Sequence, residues 1–398
     1  MSDTDILILG CGPAGLAAAA VFTEMGLSVH CIERLNKDIF NNSLNKDNRS
    51  TAILMPGIEI LREAGIWKKI SKHSAPLKIM RLADAGGEQG KIRYIADFSS
   101  KEVNQDQFGF NIPNYLLKKE MMNHLFRYKN FSINYGKNLT KVITRNKEAI
   151  TLFDDGTRIS AKLIIGADGR DSFLREINNI KKKKWSYNQK ALAFVVTHEI
   201  PHDHISTEIH KNGGPFTLVP LPFEGVNKSA VVWMDKAEII NALIAMTEKD
   251  FSYELQKRSL NVLGAINIEG IKSSWPIISQ YAKKLYGDRL ALIAEAAHVF
   301  PPIGAQGLNT SFGDLRSLSR LIKQCLEKNE DYGSETNLKK YNKDRWNEIY
   351  VKILGIDALN RAALFENKIL KDFRLKSLKL IHKTGSLRNI AISSGLGY

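Results

Sequence analysis

Three glycines and one carboxylate near the amino terminus have the types and spacing that bind a dinucleotide. The glycines belong to a G-x-G-x-x-G sequence, Gly10-Cys11-Gly12-Pro13-Ala14-Gly15. Gly10 permits a tight turn, Gly12 lets the backbone approach a pyrophosphate, and Gly15 lets a helix pack closely on a sheet. Glu33 then stands where a carboxylate accepts hydrogen bonds from an adenosine ribose diol and disfavours a ribose 2′-phosphate.

The segments around this motif are the elements that such a site needs. Residues 5–9 are a short apolar run that is typical of a buried parallel strand. Residues 16–25 are rich in alanine and predict a helix, and residues 27–32 predict a second strand that ends at Glu33. The amino end of the helix would offer free backbone N–H groups to phosphates. We therefore predict a site for the ADP half of a cofactor, although the glycines alone do not separate FAD from NAD.

Two later segments repeat the change from an apolar strand to a polar loop. Residues 162–166 run into the turn pair Asp168-Gly169, and Ser172 is a candidate cap for a helix that begins near Phe173. The segment 287–309 combines an apolar strand with a loop rich in proline and glycine, and it leads into a helix predicted from about Leu308 to Glu327. The amino end of that helix could face a second anionic or electron-accepting group.

In this order, the motifs resemble those of the group A flavin-dependent aromatic hydroxylases, the fold family of p-hydroxybenzoate hydroxylase. The resemblance covers essentially the whole chain, and it is closest to the ubiquinone-biosynthesis hydroxylases, through residues 47–53, 110–114, 214–222 and 301–309. It implies an α/β fold in which a Rossmann-like FAD-binding domain is interleaved with a mixed β-sheet substrate domain and followed by C-terminal helices.

The positions of the motifs predict that these domains are discontinuous in sequence. The expected FAD-binding domain comprises residues 1–75, 101–180 and 281–330, the substrate-binding sheet residues 76–100 and 181–280, and the C-terminal helical region residues 331–398. The four lysines of residues 181–184 are expected in a solvated loop. Residues 369–390 read as one basic amphipathic helix, for which packing on the protein itself or on a second subunit is favoured over an anionic bilayer.

The resemblance also implies a role for each residue at a matching position. Arg49 would lie near the flavin phosphates and ribityl chain, Asp168 and Gly169 near the pyrophosphate, and Glu295 against the ribityl hydroxyls. Backbone N–H groups of the late loop would face the isoalloxazine. The full set of implied cofactor-binding residues is Gly10, Gly12, Ala14, Gly15, Glu33, Arg49, Asp168, Gly169, Glu295, Pro302, Gly304, Gly307, Leu308 and Asn309.

Two positions depart from the family pattern. Ala294-Glu295 stands where relatives usually have Gly-Asp, so the acceptor of the ribityl contact is one methylene longer. Lys118-Lys119 stands where many relatives have an arginine, and lysine does not make a bidentate phosphate contact.

The implied reaction is hydroxylation of an electron-rich ring, typically a phenol, by a flavin C4a-hydroperoxide. Such chemistry needs water exclusion and placement of the ring more than an acid–base triad, so the catalytic candidates are Pro302, Gly304 and His298. His298 is favoured as a structural residue over a proton relay. Because no second G-x-G-x-x-G is present, the external reductant would be NAD(P)H bound without its own Rossmann domain, or an electron-transfer protein. No metal-ligand spacing is found.

Composition favours anionic partners and a reducing compartment. The 398 residues include 57 Lys+Arg and 42 Asp+Glu, a net charge of +15, but no nucleic-acid motif. Three cysteines and an acidic amino terminus favour a cytoplasmic protein, with peripheral attachment to the inner membrane left open. The expected partners are a polyprenylated phenol substrate, molecular oxygen and a biosynthetic complex, and no nucleic acid.

Three alternatives compete with this hypothesis. One is a group A hydroxylase that acts on a soluble aromatic compound, and another is a flavin-bound scaffold of a biosynthetic complex without turnover. Flavin halogenases are more distant, because their W-x-W-x-I-P motif is absent and the nearest match is Trp275-Pro276-Ile277.

Overall fold

The structure is a computed structural model that describes residues 3–47, 49–87, 90–364 and 367–396. Asn48 of the motif at residues 47–53, and the outermost residues of the predicted first and last segments, lie outside the described residues. The strands are β1 (Thr4–Leu9), β2 (Val29–Glu33), β3 (Ser50–Leu54), β4 (Ala75–Leu77), β5 (Ile79–Asp84), β6 (Tyr94–Ser99), β7 (Gly109–Pro113), β8 (Phe131–Tyr135), β9 (Leu139–Thr144), β10 (Ala149–Phe153), β11 (Arg158–Gly166), β12 (Lys182–His198), β13 (Ile205–His210), β14 (Pro215–Pro220), β15 (Lys228–Lys236), β16 (Ile266–Ala282), β17 (Tyr286–Gly287), β18 (Leu290–Leu292) and β19 (His298–Val299). The helices are α1 (Pro13–Glu24), α2 (Lys37–Lys46), α3 (Met55–Glu63), α4 (Trp67–Ile70), α5 (Asn114–Leu125), α6 (Phe173–Ile177), α7 (Ala237–Ala245), α8 (Glu248–Ser259), α9 (Gln306–Glu327), α10 (Glu335–Ala363), α11 (Lys368–Lys383) and α12 (Gly385–Leu396).

The first sheet holds the dinucleotide motif at its centre. Its strand order is β17-β18-β11-β1-β2-β8, and β18, β11, β1, β2 and β8 run parallel to one another. Strands β9 and β10 extend it as an antiparallel hairpin beside β11. The apolar runs Ile6–Leu9 of β1 and Leu163–Gly166 of β11 are buried, as apolar sequences predict for parallel strands covered on both faces.

The second sheet is mainly antiparallel and lies across the first. Its order is β19-β16-β12-β15-β14-β13-β5-β6, and β5 and β13 are its parallel pair. Ala191, Met234 and Ile277 on its strands belong to the same buried apolar cluster as the first sheet, so the two sheets share one core. A small third sheet, β3-β7-β4, adjoins both. Its Ile53 and Ile112 belong to the core cluster of the first sheet, and the Asn111 side chain of β7 donates to the Pro220 carbonyl of β14 at 2.8 Å.

Three helices, α10 to α12, follow α9 at the C-terminal end of the described chain. Helix α10 packs along the body, where the buried Tyr341 hydroxyl donates to the Leu292 carbonyl at 2.8 Å and Trp346 stacks on Tyr350. Helix α11 lies along β6, and α12 reaches the short turn that follows β6. The body is therefore closed on one side by α10 and along the edge of the second sheet by α11 and α12. No helix in the described ranges is both long enough and apolar enough to span a bilayer.

Most predicted elements are confirmed and two are wrong. The strand–turn–helix segments at residues 5–33, 158–177 and 290–327 form as expected, and Ser172 caps α6 by accepting from the Arg175 N–H. Lys182–Lys184 are exposed but begin β12 instead of lying in a loop, because they pair with residues 280–282. The predicted single helix over residues 369–390 is two helices, since Thr384 takes an extended conformation between α11 and α12.

Candidate cofactor and active site

The carboxyl ends of neighbouring parallel strands bring the three motifs to one edge of the first sheet. Leu9 pairs with both Ile32 and Gly166, and Gly166 pairs with Leu292. The residues that follow these strand ends are therefore adjacent: Gly10 after β1, Ala167-Asp168 after β11 and Ala294-Glu295 after β18. Ligands bind at this edge of an open α/β sheet, outside the carboxyl ends of the strands.

The glycine turn is packed as tightly as its sequence predicts. Gly10 has a φ of +101°, and a Cβ there would lie 2.4 Å from the Ala167 carbonyl oxygen. A Cβ on Gly15 would lie 2.0 Å from the Gly10 carbonyl oxygen, so α1 packs directly on the turn. By contrast, nothing lies within 4 Å of a Cβ built on Gly12. Gly12 therefore borders open space at the amino end of α1, whose first turn contains Ala14.

Glu33 is held beside the glycine turn by two backbone hydrogen bonds. One carboxylate oxygen accepts from the Cys11 N–H at 3.1 Å and the other from the Leu35 N–H at 2.9 Å. The carboxylate thus closes the far side of the glycine turn and keeps further acceptor capacity on both oxygens. The Cys11 and Cys31 thiols are free and buried beneath it.

Asp168 lies at the turn after β11 with half of its carboxylate unused. One oxygen accepts from the Leu174 N–H at 3.1 Å, while the other is buried and has no hydrogen-bond partner among the described residues. Burial raises the pKa of this carboxyl against the opposing effect of hydrogen bonds from Ser172 and the Leu174 N–H. Gly169 beside it has a φ of +87° and open space at its Cβ position.

Arg49 belongs to a charged cluster at the start of β3. Its guanidinium makes a bidentate contact with Asp47 at 2.7 and 2.9 Å, and the Lys118 ammonium from α5 lies 3.3 Å from the same carboxylate. Burial acts to raise the pKa of Asp47, but the hydrogen bonds and positive charges of Arg49 and Lys118 together hold it below its usual value. Lys118 therefore lies beside Arg49 and supplies a second positive charge. It stands in the region where many relatives have an arginine.

Glu295 is half exposed at the mouth of the same edge. Its carboxylate pairs with Arg170 at 3.1 Å, and the Arg170 carbonyl is held in turn by Arg175 and Gln280. Arg175 also donates to the Ala296 carbonyl at 2.6 Å, so the loop after β11 and the loop after β18 are cross-linked.

The late loop, residues 294–305, leads from β18 to α9 through unusual backbone conformations. Ala294, Gly304 and Ala305 all have φ near +60°, with values of +57°, +62° and +56°. The Asn309 side chain fixes the loop by donating to the carbonyls of Ala52 and Ala305 and accepting from the Leu54 N–H. The remaining predicted residues, Pro302, Gly307 and Leu308, lie in this loop or in the first turn of α9.

Asp314 ties this loop to the interior and was missed by sequence reasoning. Its carboxylate is completely buried, accepts from the Ala294 N–H at 3.1 Å, and contacts His298 Nε2 at 2.6 Å and Arg345 Nε at 3.0 Å. Burial acts to raise the pKa of this carboxyl, but His298 and Arg345 hold it below its usual value. One signal was available: Asp314 lies on the apolar face of a predicted helix, where an unpaired carboxylate is rarely found.

His298 is consequently enclosed and not exposed to the site. Its side chain is 1% exposed, its Nε2 contacts Asp314, and its Nδ1 is buried without a partner among the described residues. The ring also packs against Phe300 with centroids 5.1 Å apart.

The second sheet covers this edge from above. Trp275 of β16 lies over the Arg49 guanidinium, 5.8 Å from its carbon to the ring centroid. The Gln280 side chain of the same strand reaches down to the Arg170 carbonyl. The antiparallel sheet thus extends as a roof over part of the motif edge, an arrangement in which a ring can be placed beside a cofactor and shielded from water.

The residues present fit FAD. Open space beside Gly12 and Gly169 leaves room for the pyrophosphate at the amino end of α1, where free N–H groups and the helix dipole favour anions. The oriented Glu33 carboxylate suits the ribose, and the unused oxygen of Asp168 offers a buried acceptor.

Comparison with known proteins identifies the class. A model of the FAD binding domain family matches residues 3–349, so the chain belongs to that family. Ubiquinone hydroxylase UbiL of Rhodospirillum rubrum is 27% identical over 99% of this chain and 89% of its own length. The 3-demethoxyubiquinol 3-hydroxylase of Escherichia coli is 25% identical over 99% of this chain and 98% of its own.

Solved structures support the same fold. p-Nitrophenol 4-monooxygenase PnpA of Pseudomonas putida aligns with a TM-score of 0.78 at 16% identity, over 99% of this chain and 98% of its own. Klebsiella pneumoniae HpxO, solved with FAD and uric acid, aligns with a TM-score of 0.76 at 17% identity, over 100% of this chain and 98% of its own. Both the family and the fold predicted from the motifs are confirmed, and FAD is the cofactor.

The two glycines of the motif are expected to fail in different ways. Gly15→Ala places a methyl group against the Gly10 carbonyl, so we expect the free energy of unfolding to fall by about 1–3 kcal/mol. Gly12→Ala meets no protein atom, so stability should change by less than about 0.5 kcal/mol while FAD affinity falls. Chemical denaturation of the apoprotein and FAD titration measure the two effects. A Gly15→Ala protein with the same free energy of unfolding as wild type, or normal FAD affinity in Gly12→Ala, would contradict these roles of the two glycines.

Glu33→Gln is expected to weaken FAD binding by about 10- to 100-fold. The amide loses charge-assisted hydrogen bonds, each contributing about 1.5–3 kcal/mol, and its NH₂ group must face one of two N–H donors. Flavin fluorescence titration measures the dissociation constant. The exposed Glu63→Gln serves as the control, and equal affinities of the two variants would refute a ribose role for Glu33.

Asp314→Asn is expected to lower the free energy of unfolding by about 3–5 kcal/mol near neutral pH, because it removes the buried anion of Arg345 and leaves only the partly exposed Glu348 as its partner. The pKa of Asp314 is lowered by folding, so its stabilisation is complete above the unfolded value of about 4 and is lost as pH falls through the folded value. The gap between wild type and variant should therefore narrow in acid. The exposed Asp288→Asn is the control in chemical denaturation, and a gap independent of pH would contradict the prediction.

Proposed function

We propose that this protein is an FAD-dependent monooxygenase that hydroxylates the aromatic ring of a polyprenyl phenol in ubiquinone biosynthesis. The observation that carries the proposal is the meeting of three strand-end motifs at one sheet edge beneath an antiparallel roof. Full-length similarity to proteins named as ubiquinone hydroxylases supports the substrate class.

The chain's own part in the reaction is binding, positioning and exclusion of water. Bound FAD, once reduced by the external reductant, would activate molecular oxygen so that one oxygen atom is transferred in electrophilic form to an electron-rich ring and the other leaves as water. Glycines of the first turn and Glu33 bind the adenosine half, and Arg49 with Lys118 provides positive charge on the opposite side of the motif edge. The roof formed by β16 shields the reacting atoms from water, which protects the activated oxygen from decay.

Pro302 and Gly304 are proposed to set the height of the late loop beside the flavin ring. Their loop is constrained at both ends: Asp314 accepts from the Ala294 N–H, and Asn309 binds the Ala305 carbonyl. His298 is proposed as a positioning residue that acts through Asp314, because its enclosed ring has no route to a substrate. We also propose that the FAD-binding domain and the substrate-binding sheet are each discontinuous in sequence, as the positions of the motifs predict.

The proposed partners are an electron donor and a lipid-soluble substrate. The reductant is NAD(P)H or an electron-transfer protein, and both would have to reach a flavin that no second dinucleotide motif accompanies. A polyprenylated substrate dissolves in lipid and not in water, so we propose that the protein works at the surface of the inner membrane within a biosynthetic assembly.

Oxygen transfer is the direct test. Purified holoprotein is incubated with NADH, a short-chain polyprenyl phenol in detergent and isotopically labelled dioxygen, and products are analysed by mass spectrometry. We expect a product that carries one labelled oxygen atom and depends on both the phenol and the reductant. The Gly12→Ala variant, which should fold without retaining FAD, is the matched control.

Lipids of a deletion strain provide the complementary measurement. Accumulation of a prenylated phenol that lacks one hydroxyl group is expected, and its mass identifies the missing oxygen. Normal ubiquinone in that strain, together with turnover of a water-soluble phenol, would favour a hydroxylase of soluble aromatics. Tight FAD binding without a hydroxylated product from any donor would favour the scaffold.

A further inference from the structure

The two C-terminal helices expose large apolar and lysine side chains on their outer surface. On α11 the exposed residues recur at intervals of three and four, the spacing of one helical face, and α12, which packs against α11, adds two more. These residues are Ile369, Phe373, Lys376, Leu380 and Lys383 on α11, and Leu387 and Ile390 on α12. Ile369, Phe373, Leu380 and Ile390 are 75%, 64%, 59% and 62% exposed, respectively. We call these seven residues the outer stripe.

The opposite face of the same helices is fastened to the second sheet. Asp372 pairs with Arg93 at 2.6 Å, and Arg374 pairs with the buried Asp84 at 3.1 Å. Arg388 donates to the Asp97 carbonyl at 2.6 Å. These contacts fix which face of each helix points outward, so exposure of the outer stripe is a property of the folded body.

Apolar exposure is concentrated in this part of the molecule. Of the 23 exposed large apolar side chains among the described residues, nine lie between Val351 and Ile390. A monomeric soluble protein rarely exposes a contiguous apolar surface of this kind without a partner.

Charge favours an anionic bilayer as the partner. Of the seven Lys and Arg residues of α11 and α12, Arg374 and Arg388 are paired with carboxylates of the body, whereas Lys376 and Lys383 of the outer stripe are exposed. The single acid, Asp372, is already paired with Arg93. A second copy would bring two lysine-bearing stripes of a +15 protein together, which like charges oppose. At an anionic membrane surface, the apolar residues enter the headgroup boundary while the lysine stems extend their ammonium groups to phosphates.

Helix α12 also contacts the start of α9, beside the late loop. The Gly395 carbonyl near the end of α12 accepts from the Gln306 side chain at 2.9 Å, and Gln306 is the first residue of the flavin-loop helix α9. Ile392 of α12 is buried in a cluster with Leu54, at the end of β3. A surface that binds lipid through the outer stripe would therefore lie beside the late loop.

We propose that the outer stripe of α11 and α12 docks the protein on an anionic lipid bilayer, and that this orientation brings the late loop, beside Gln306 and Gly395, close to the membrane. The docking surface stands on exposure and charge alone. Its use for substrate entry rests on the proposed hydroxylation of a polyprenyl phenol.

Co-sedimentation of the full-length holoprotein with vesicles tests the surface. Binding to phosphatidylcholine vesicles that contain phosphatidylglycerol is compared with binding to pure phosphatidylcholine. We expect preference for the anionic vesicles and a loss of about tenfold or more in Lys376→Glu/Lys383→Glu, because each basic residue near such a surface contributes measurably to binding. Phe373→Ser/Leu380→Ser should lose about tenfold through its missing apolar contacts.

Matched variants separate the stripe from general effects of charge and apolarity. Lys249→Glu/Lys343→Glu makes the same charge change at exposed sites elsewhere, and Ile143→Ser/Leu326→Ser removes two exposed apolar side chains from the FAD-binding part. Both controls should bind within about twofold of wild type. Equal loss in controls and stripe variants would overturn the docking surface.

Two further readouts distinguish the competing explanations. A lipid-free dimer that becomes monomeric in Phe373→Ser/Leu380→Ser would overturn the bilayer in favour of a second copy. Hydroxylation of a detergent-dispersed phenol should persist in the stripe variants while turnover of vesicle-embedded phenol falls. If vesicle binding is stripe-dependent but no phenol is hydroxylated in either form, the proposed function fails and the docking surface stands.

Discussion

The parallel alignment of β18, β11, β1 and β2 is the constraint on which the rest of the structure depends. Because Leu9, Gly166 and Leu292 lie in register, the segments that follow them must emerge at one edge, although they are separated by more than a hundred residues in sequence. Each segment then has little freedom: Gly10 and Ala167 touch through their backbones, and the Ile293 N–H donates to the Gly166 carbonyl. A site assembled in this way is as rigid as the sheet that carries it.

A buried network of charged side chains fixes the late loop, which the parallel sheet alone does not hold. The late loop contains three residues with positive φ, two of them alanines, and such a conformation costs free energy unless the surroundings determine it. Asp314 provides that determination by binding the Ala294 N–H, and it stays ionised in the core because His298 and Arg345 offset the cost of burial. The Asp314 carboxylate thereby joins α9 to α10 and fixes the position of the late loop.

Local signals made much of this architecture predictable, and non-local pairing explains the rest. The first strand, glycine turn and helix follow from residues 5–33 alone, since each glycine has a steric task within the motif. The pairing of Asp314 with Arg345 joins two different helices, so no single sequence window contains it. Lys182–Lys184 form a strand because β16 offers them backbone partners, which outweighs their polar composition. The break at Thr384 precedes a glycine, a signal that the continuous apolar spacing concealed.

Helix α12 connects the outer stripe to the late loop. Helix α12 uses one face to cover Leu54 and the edge of β6, and its end accepts a hydrogen bond from Gln306 at the start of α9. Any partner that binds the opposite face is therefore placed beside the flavin loop without contacting it. For an enzyme whose substrate lies in lipid, binding to the membrane would also bring the substrate close to the flavin loop, because the helices that fix the orientation also contact the start of α9.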